Sequence, residues 1–179
     1  GVGLHTDIHS TNRIGLHEKK LNGELPITRE ELLVLITSWG RRLGFYTKDS
    51  QNKDMYIEEC EAKECYDLSK LDVSQITNMK NLFTFSLFNG NISSWNMSSV
   101  TNMSGMFSGA EQFNQDISNW DVSNVINMRG MFYEAISFNQ PLNWNTSNVT
   151  NMDSMFSYAY NFNQPLNWNT SNVTSMSFM

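Results

Sequence analysis

Positive charge is the scarcest commodity in the second half of this chain. From Asn96 to Met179 the only cation is Arg129, against Glu111, Asp116, Asp121, Glu134 and Asp153. The full 179 residues carry a net charge of −6. One cation over five anions cannot neutralise a phosphate backbone, which argues against nucleic acid as a partner there. An anionic membrane surface is disfavoured on the same ground.

Histidine and cysteine are nearly missing too. All three histidines, His5, His9 and His17, precede residue 18, and no His or Cys occurs from Asp67 onward. Catalysis needs a nucleophile, or an acid and a base, held together. Scattered single carboxylates do not supply that, so we expect no enzyme, no catalytic residue, no cofactor and no metal site. His5, Asp7 and His9 of HTDIH could hold a metal on a helix, but in a mobile tail they would not, and the tail is the expectation. Cys60 and Cys65 form a C-x4-C without a nearby His, a poor zinc site. Outside a cell they can form a small disulfide; inside, they stay two reduced thiols.

Long apolar runs are absent as well. None approaches the roughly 18 residues that span a bilayer, so no membrane insertion is expected within these residues. The opening GVGLHTDIHS has no initiating Met and no signal-peptide core, and SMSFM stops inside a repeat, so the chain reads as a fragment or processed product.

What is present is repetition. DVSQITNMKNLFTFSLFNGNISSW starts at Asp72 and NMSSVTNMSGMFSGAEQFNQDISNW at Asn96. DVSNVINMRGMFYEAISFNQPLNW follows from Asp121, NTSNVTNMDSMFSYAYNFNQPLNW from Asn145, and a fifth unit from Asn169 is incomplete. The spacing is 24 or 25 residues. Self-similarity at such a period marks a stacked array, because a unit this small cannot bury an apolar face alone.

Within each unit, Val100, Met103, Phe107 and Ala110 recur at offsets of 3, 4 and 3. With Met106 they cover one face of a short helix, and Ser98 before them has the chemistry of a helix N-cap. Ile117–Trp120 and Leu142–Trp144 read as short closing strands. The first is one residue longer, so a bulge near Ser118 is expected to return Trp120 to the core. The fold class is therefore an α/β repeat solenoid, each coil a short strand plus a short helix. Residues 67–179 make four to five coils, the last incomplete. Residues 25–66 form an N-terminal cap with a helix at about 28–39, marked by the Thr28/Glu31 capping-box spacing. Residues 1–24 read as a flexible tail or linker.

Two outward rows are candidate ligand surfaces. Tyr133, Glu134, Ile136, Tyr158 and Tyr160 are not demanded by the repeat, and exposed aromatics on a rigid scaffold favour recognition. Asn119, Asn143 and Asn167, with Asp121, Asn145 and Asn169, form a polar array beside the closing segment. The open last coil also invites end-to-end self-association.

The unit DVSNVxNMxxMFxxAxxFNQxxxxW resembles the repeat of bacterial surface proteins of the BspA-like leucine-rich-repeat family, first described as a mycoplasma-type lipoprotein repeat of unknown function. The resemblance covers residues 67–179. It implies a leucine-rich-repeat-like solenoid, exposure on a cell surface, and adhesion to protein or glycan on another cell or matrix. It brings no catalytic residues. Met and Phe stand where ordinary leucine-rich repeats have Leu, and residues 1–66 lie outside the resemblance. The expected function is a non-enzymatic, extracellular binding module; the alternative is a structural spacer with no dedicated ligand.

Overall fold

Asn78, Asn102, Asn127, Asn151 and Ser175 pair in succession as parallel bridges in a computed structural model of the chain, which describes residues 15–39 and 65–179. Each repeat therefore lies beside the next, running the same way. Past each bridge the backbone donors alternate between two destinations. Met103, Gly105, Phe107 and Gly109 donate to the carbonyls of Asn127, Arg129, Met131 and Tyr133 in the following repeat. Met106, Ser108 and Ala110 donate three residues back, to Met103, Gly105 and Phe107. The same alternation runs from Met79 to Ser86 and from Met128 to Ala135.

This pattern replaces the expected helix in every repeat. An α-helix sends its donors four residues back; here half of them leave for the neighbour. The enabling residues are Gly105 and Gly109, with φ of +62° and +66°. They stand third in the turns 103–106 and 107–110, the place where a type II turn requires positive φ. Among residues 65–179 none is helical.

The serine caps and the closing strand are corrected with it. Ser98 does not accept from a helix start. Its own N–H and Oγ–H donate to Asn96 Oδ1, at 3.0 and 2.6 Å. Ser74, Ser123, Ser147 and Ser171 likewise donate their N–H to the Asp or Asn two residues before them. These are Asx-turns, in which a short polar side chain mimics a backbone carbonyl. Ile117–Trp120 is a turn too: the Trp120 N–H donates to the Ile117 carbonyl at 3.2 Å. The extra residue is absorbed by that turn rather than by a bulge. Trp120 and Trp144 both reach the core, at 4% and 5% exposure.

The core consists of columns of equivalent residues. Val100, Val125 and Val149 stack, as do Met103, Met128 and Met152, and all are fully buried. Ring planes in the aromatic columns are nearly parallel. Phe83, Phe107, Phe132 and Phe156 follow one another at 5.3, 5.6 and 5.5 Å between centroids. Phe88, Phe113, Phe138 and Phe162 follow at 6.1, 5.9 and 6.0 Å. Trp95, Trp120, Trp144 and Trp168 follow at 6.5, 6.5 and 6.1 Å. Paired backbones lie about 4.8 Å apart, so the rungs spread from the bridged edge towards the tryptophans. Each indole N–H is fixed to a carbonyl of the preceding repeat, as Trp120 Nε1 is to Ile92 at 3.0 Å.

The N-terminal residues cover the first rung. Residues 15–21 form a helix, α1, and Arg29–Ile36 form α2, continued by a 3-10 turn at Thr37–Trp39. Thr28 and Glu31 make a capping box, and Leu32, Leu35 and Ile36 join the core of the array. The flexible tail expected to reach residue 24 does not: Lys20 Nζ pairs with Glu31 at 2.6 Å and Leu21 packs on the core. Ile27 N–H donates to the Asp72 carbonyl at 2.9 Å. Arg29 Nη1 donates to the Asn78 carbonyl at 2.9 Å, and Nη2 to that of Lys80. Those carbonyls face the side where a preceding repeat would supply N–H donors, so one guanidinium fork stands in for a missing rung. Cys65 is disulfide-bonded; Cys60, like His5, Asp7 and His9, lies outside the described residues.

Candidate functional site

The bridged edge of the array carries rows of equivalent residues in register, most of them half-buried or exposed, with Ser104 and Gly109 buried. Two positions past the bridge stand Lys80, Ser104, Arg129, Asp153 and Ser177. One further stand Asn81, Gly105, Gly130, Ser154 and Phe178. After the inward residues come Thr84, Ser108, Tyr133 and Ser157, then Phe85, Gly109, Glu134 and Tyr158. The register follows from the bridges and the donor alternation.

Two of these rows are left-handed throughout. In the first, Asn81, Gly105, Gly130, Ser154 and Phe178 all have φ between +55° and +62°. In the second, Phe85, Gly109, Glu134 and Tyr158 have φ of +55°, +66°, +55° and +60°. A left-handed residue with a side chain costs roughly 1–2 kcal/mol. Gly109 meets the requirement without that cost. Phe85 lies over it: a Cβ on Gly109 would sit 2.2 Å from the Phe85 ring.

Four of the five residues in the first candidate row come together here. Tyr133 and Tyr158 meet edge to face at 5.6 Å, and Tyr158 and Tyr160 at 6.2 Å. Tyr158 and Tyr160 are 55% and 73% exposed. Burial pushes the Tyr133 hydroxyl above its usual range, and the neighbouring Glu134 carboxylate adds to that. Phe178 joins Tyr133 and Tyr158 around one shallow hollow. Ile136 is half-buried and does not line that hollow.

The second candidate row is engaged differently. Asp121 Oδ1 accepts the Ser123 Oγ–H and N–H at 2.6 and 3.0 Å, which hold its carboxyl below the usual carboxylate range. Asn145 and Asn169 accept from Ser147 and Ser171. Their side-chain oxygens are thus used in the turn itself. Asn119, Asn143 and Asn167 are exposed, but the row is not brought onto the tyrosine surface.

A third polar column is structural. Asn114, Asn139 and Asn163 each donate their N–H to the Oδ1 of the preceding Asn in the column, all at 2.9 Å. Gln115, Gln140 and Gln164 clamp the same asparagines from the side. This explains the recurring Phe-Asn-Gln.

One feature of the bridged edge was invisible as a motif. A groove there is lined by Lys80, Ser104, Ser108, Arg129, Gly130 and Tyr133 among others. The glycines at 105 and 130 were the available signal, since Gly is poorly placed inside a helix. Among the described residues no group of His, Cys, Asp and Glu could hold a metal ion, and no helix is long and apolar enough to cross a membrane.

A family model described as "Mycoplasma protein of unknown function, DUF285" matches residues 51–166 and 142–179. The match begins upstream of the repeats read from the sequence. No curated protein and no solved structure matches the chain.

Proposed function

Because the chain belongs to the DUF285 family, whose function is unknown, we propose that it is a non-enzymatic binding module. It presents the bridged edge of a solenoid to protein or glycan at a cell surface. The solenoid is of leucine-rich-repeat-like curvature. Supporting that shape, successive indole centroids separate by 6.1–6.5 Å against about 4.8 Å between paired backbones. The bridged edge is then the concave side.

One observation carries the binding reading. At the second left-handed row Gly109 suffices for the fold, yet Phe85, Glu134 and Tyr158 place large side chains there against a steric cost. Strain kept where glycine would relieve it points to use of the side chain. Tyr158 and Tyr160 add large exposed ring area on a rigid backbone, the chemistry of a recognition anchor.

The test is the full chain on panels of glycans and extracellular-matrix proteins, beside Tyr158→Gly. Binding should appear and should weaken about tenfold or more in the variant. Folding stability should change by less than about 1 kcal/mol, because relief of the left-handed strain offsets the lost ring contacts and the added chain entropy. Silence on both panels would leave the structural spacer as the reading.

A further inference from the structure

We propose that the groove at Gly130 is a subsite for an acidic saccharide, which deepens the binding function proposed above and rests on it. The case begins with charge. From Asp67 onward the chain has three cations, Lys70, Lys80 and Arg129. Two of those three, Lys80 and Arg129, line this single groove. They occupy the same register two rungs apart, which places their backbones roughly 10 Å from each other with Ser104 between them. An otherwise acidic array thus concentrates its positive charge on one strip, and such a strip draws anions to itself.

The floor is made by the left-handed glycines. At Gly105 the Asn81 side chain already leans across, since an added Cβ would meet Asn81 Oδ1 at 2.1 Å. At Gly130 the space is open; an added Cβ would meet only Tyr133 Cβ, at an ordinary 3.8 Å. The groove therefore has an amide at one end, a bare floor in the middle and the Tyr133 ring beside it.

The remaining lining decides the class of ligand. The ten lining residues include three serines and two asparagines and no aliphatic side chain. A protein partner is usually anchored by several apolar or aromatic side chains in desolvated pockets, and this groove offers Tyr133 alone. Nucleic acid needs many cations in line, and there are two. A saccharide bearing acid groups fits: its hydroxyls meet Ser and Asn, its ring face meets Tyr133, and its anions meet Lys80 and the planar Arg129 fork. Asp153, next in the Arg129 column, bonds the Ser175 hydroxyl and the Ser177 N–H; it feels the Arg129 charge and offsets part of it, which leaves the strip net positive through Lys80 and Arg129 together.

The experiment is titration calorimetry of the full chain with oligogalacturonate, its methyl ester, a sulfated oligosaccharide and poly-glutamate. The acidic saccharides should bind, and the ester and the peptide should not. Lys80→Gln and Arg129→Gln should each weaken binding about tenfold, and rising salt should weaken it further. Gly130→Asn fills the floor while keeping both charges. Its backbone conformation has a precedent at Asn81, with φ of +57° in the same row. It should abolish binding with an unchanged melting temperature. If it unfolds the array, the two charge variants carry the test. Equal binding of ester or peptide, or indifference to all three substitutions, overturns the subsite. Binding of neutral glycan or protein through Tyr158 with none of oligogalacturonate or the sulfated saccharide overturns the subsite and leaves the binding module standing; no binding to any panel overturns both.

Discussion

Helix α2 and the segment from Val100 to Ala110 carry nearly the same apolar spacing and fold differently. In α2 the buried residues are Leu32, Leu35 and Ile36. In the array they are Val100, Met103, Met106, Phe107 and Ala110. Both sets put every third or fourth side chain inward. In α2 the donors stay inside the element, as Leu32 N–H does on the Thr28 carbonyl at 3.0 Å. In the array alternate donors leave for the next repeat. The difference is what lies alongside. The array segment has a copy of itself on each side, with matching carbonyls in register; α2 has none. Apolar periodicity thus reports which side chains turn inward, and leaves open where the backbone hydrogen bonds go.

The sharpest way to break this comparison is to remove an inward ring from the array. Phe132 stacks on Phe107, Phe138 and Phe156 at 5.6, 4.2 and 5.5 Å. Phe132→Ala should cost about 3–5 kcal/mol in urea unfolding, while Tyr133→Ala beside it should cost under about 1 kcal/mol. Similar losses at both positions would mean that the inward and outward rows are wrongly assigned.

The junction between the two regions comes next. Arg29→Met keeps an unbranched apolar stem and removes the fork on the Asn78 and Lys80 carbonyls. The expected loss is about 1–2 kcal/mol, with hydrogen exchange accelerating in the first rung before the later ones. Uniform acceleration along the array would show that Arg29 does not act locally as a substitute rung.

The smallest effect separates the Asx-turns from ordinary surface. Asp67, Asp116 and Asp121 all have carboxyls held below their usual range, each by the serine two residues on. A depressed folded value adds stability above the unfolded value and loses it as pH falls through the folded one. Asp121→Asn should therefore be within a few tenths of a kcal/mol of the parent at pH 7, since Asn145 and Asn169 make the same turn. Below about pH 4 the variant should become relatively the more stable. A variant that tracks the parent at both ends of the range would count against the turn as the cause.

Much of the molecule was legible as letters. The repeat length, the inward columns and the capping box at Thr28 and Glu31 follow from spacing alone, because packing and capping depend on local order. The Asn and Gln of each Phe-Asn-Gln are spelled out in the letters, whereas the rung-to-rung bonds they make exist only in the fold. The spacing points to a helix in each repeat because consecutive four-residue turns bring side chains inward at nearly the helical period. Gly105, Gly109 and Gly130 signalled otherwise. At the candidate site, Tyr133, Glu134, Tyr158 and Tyr160 stood out as departures from the repeat. Lys80 did not, because its pairing with Arg129 across two rungs exists only once the register is known. Asp121, Asn145 and Asn169 looked outward and free on the sequence, and in the structure their oxygens serve the turns.

By itself the sequence determined that each unit needs its neighbours, since a two-dozen-residue window with one apolar face cannot exclude water alone. It also determined which side chains fill the shared columns. Only the tertiary structure decided the backbone path between those side chains. A carbonyl one rung away competes for each N–H with the carbonyl four residues back, and that competition is settled by register, which no single window contains.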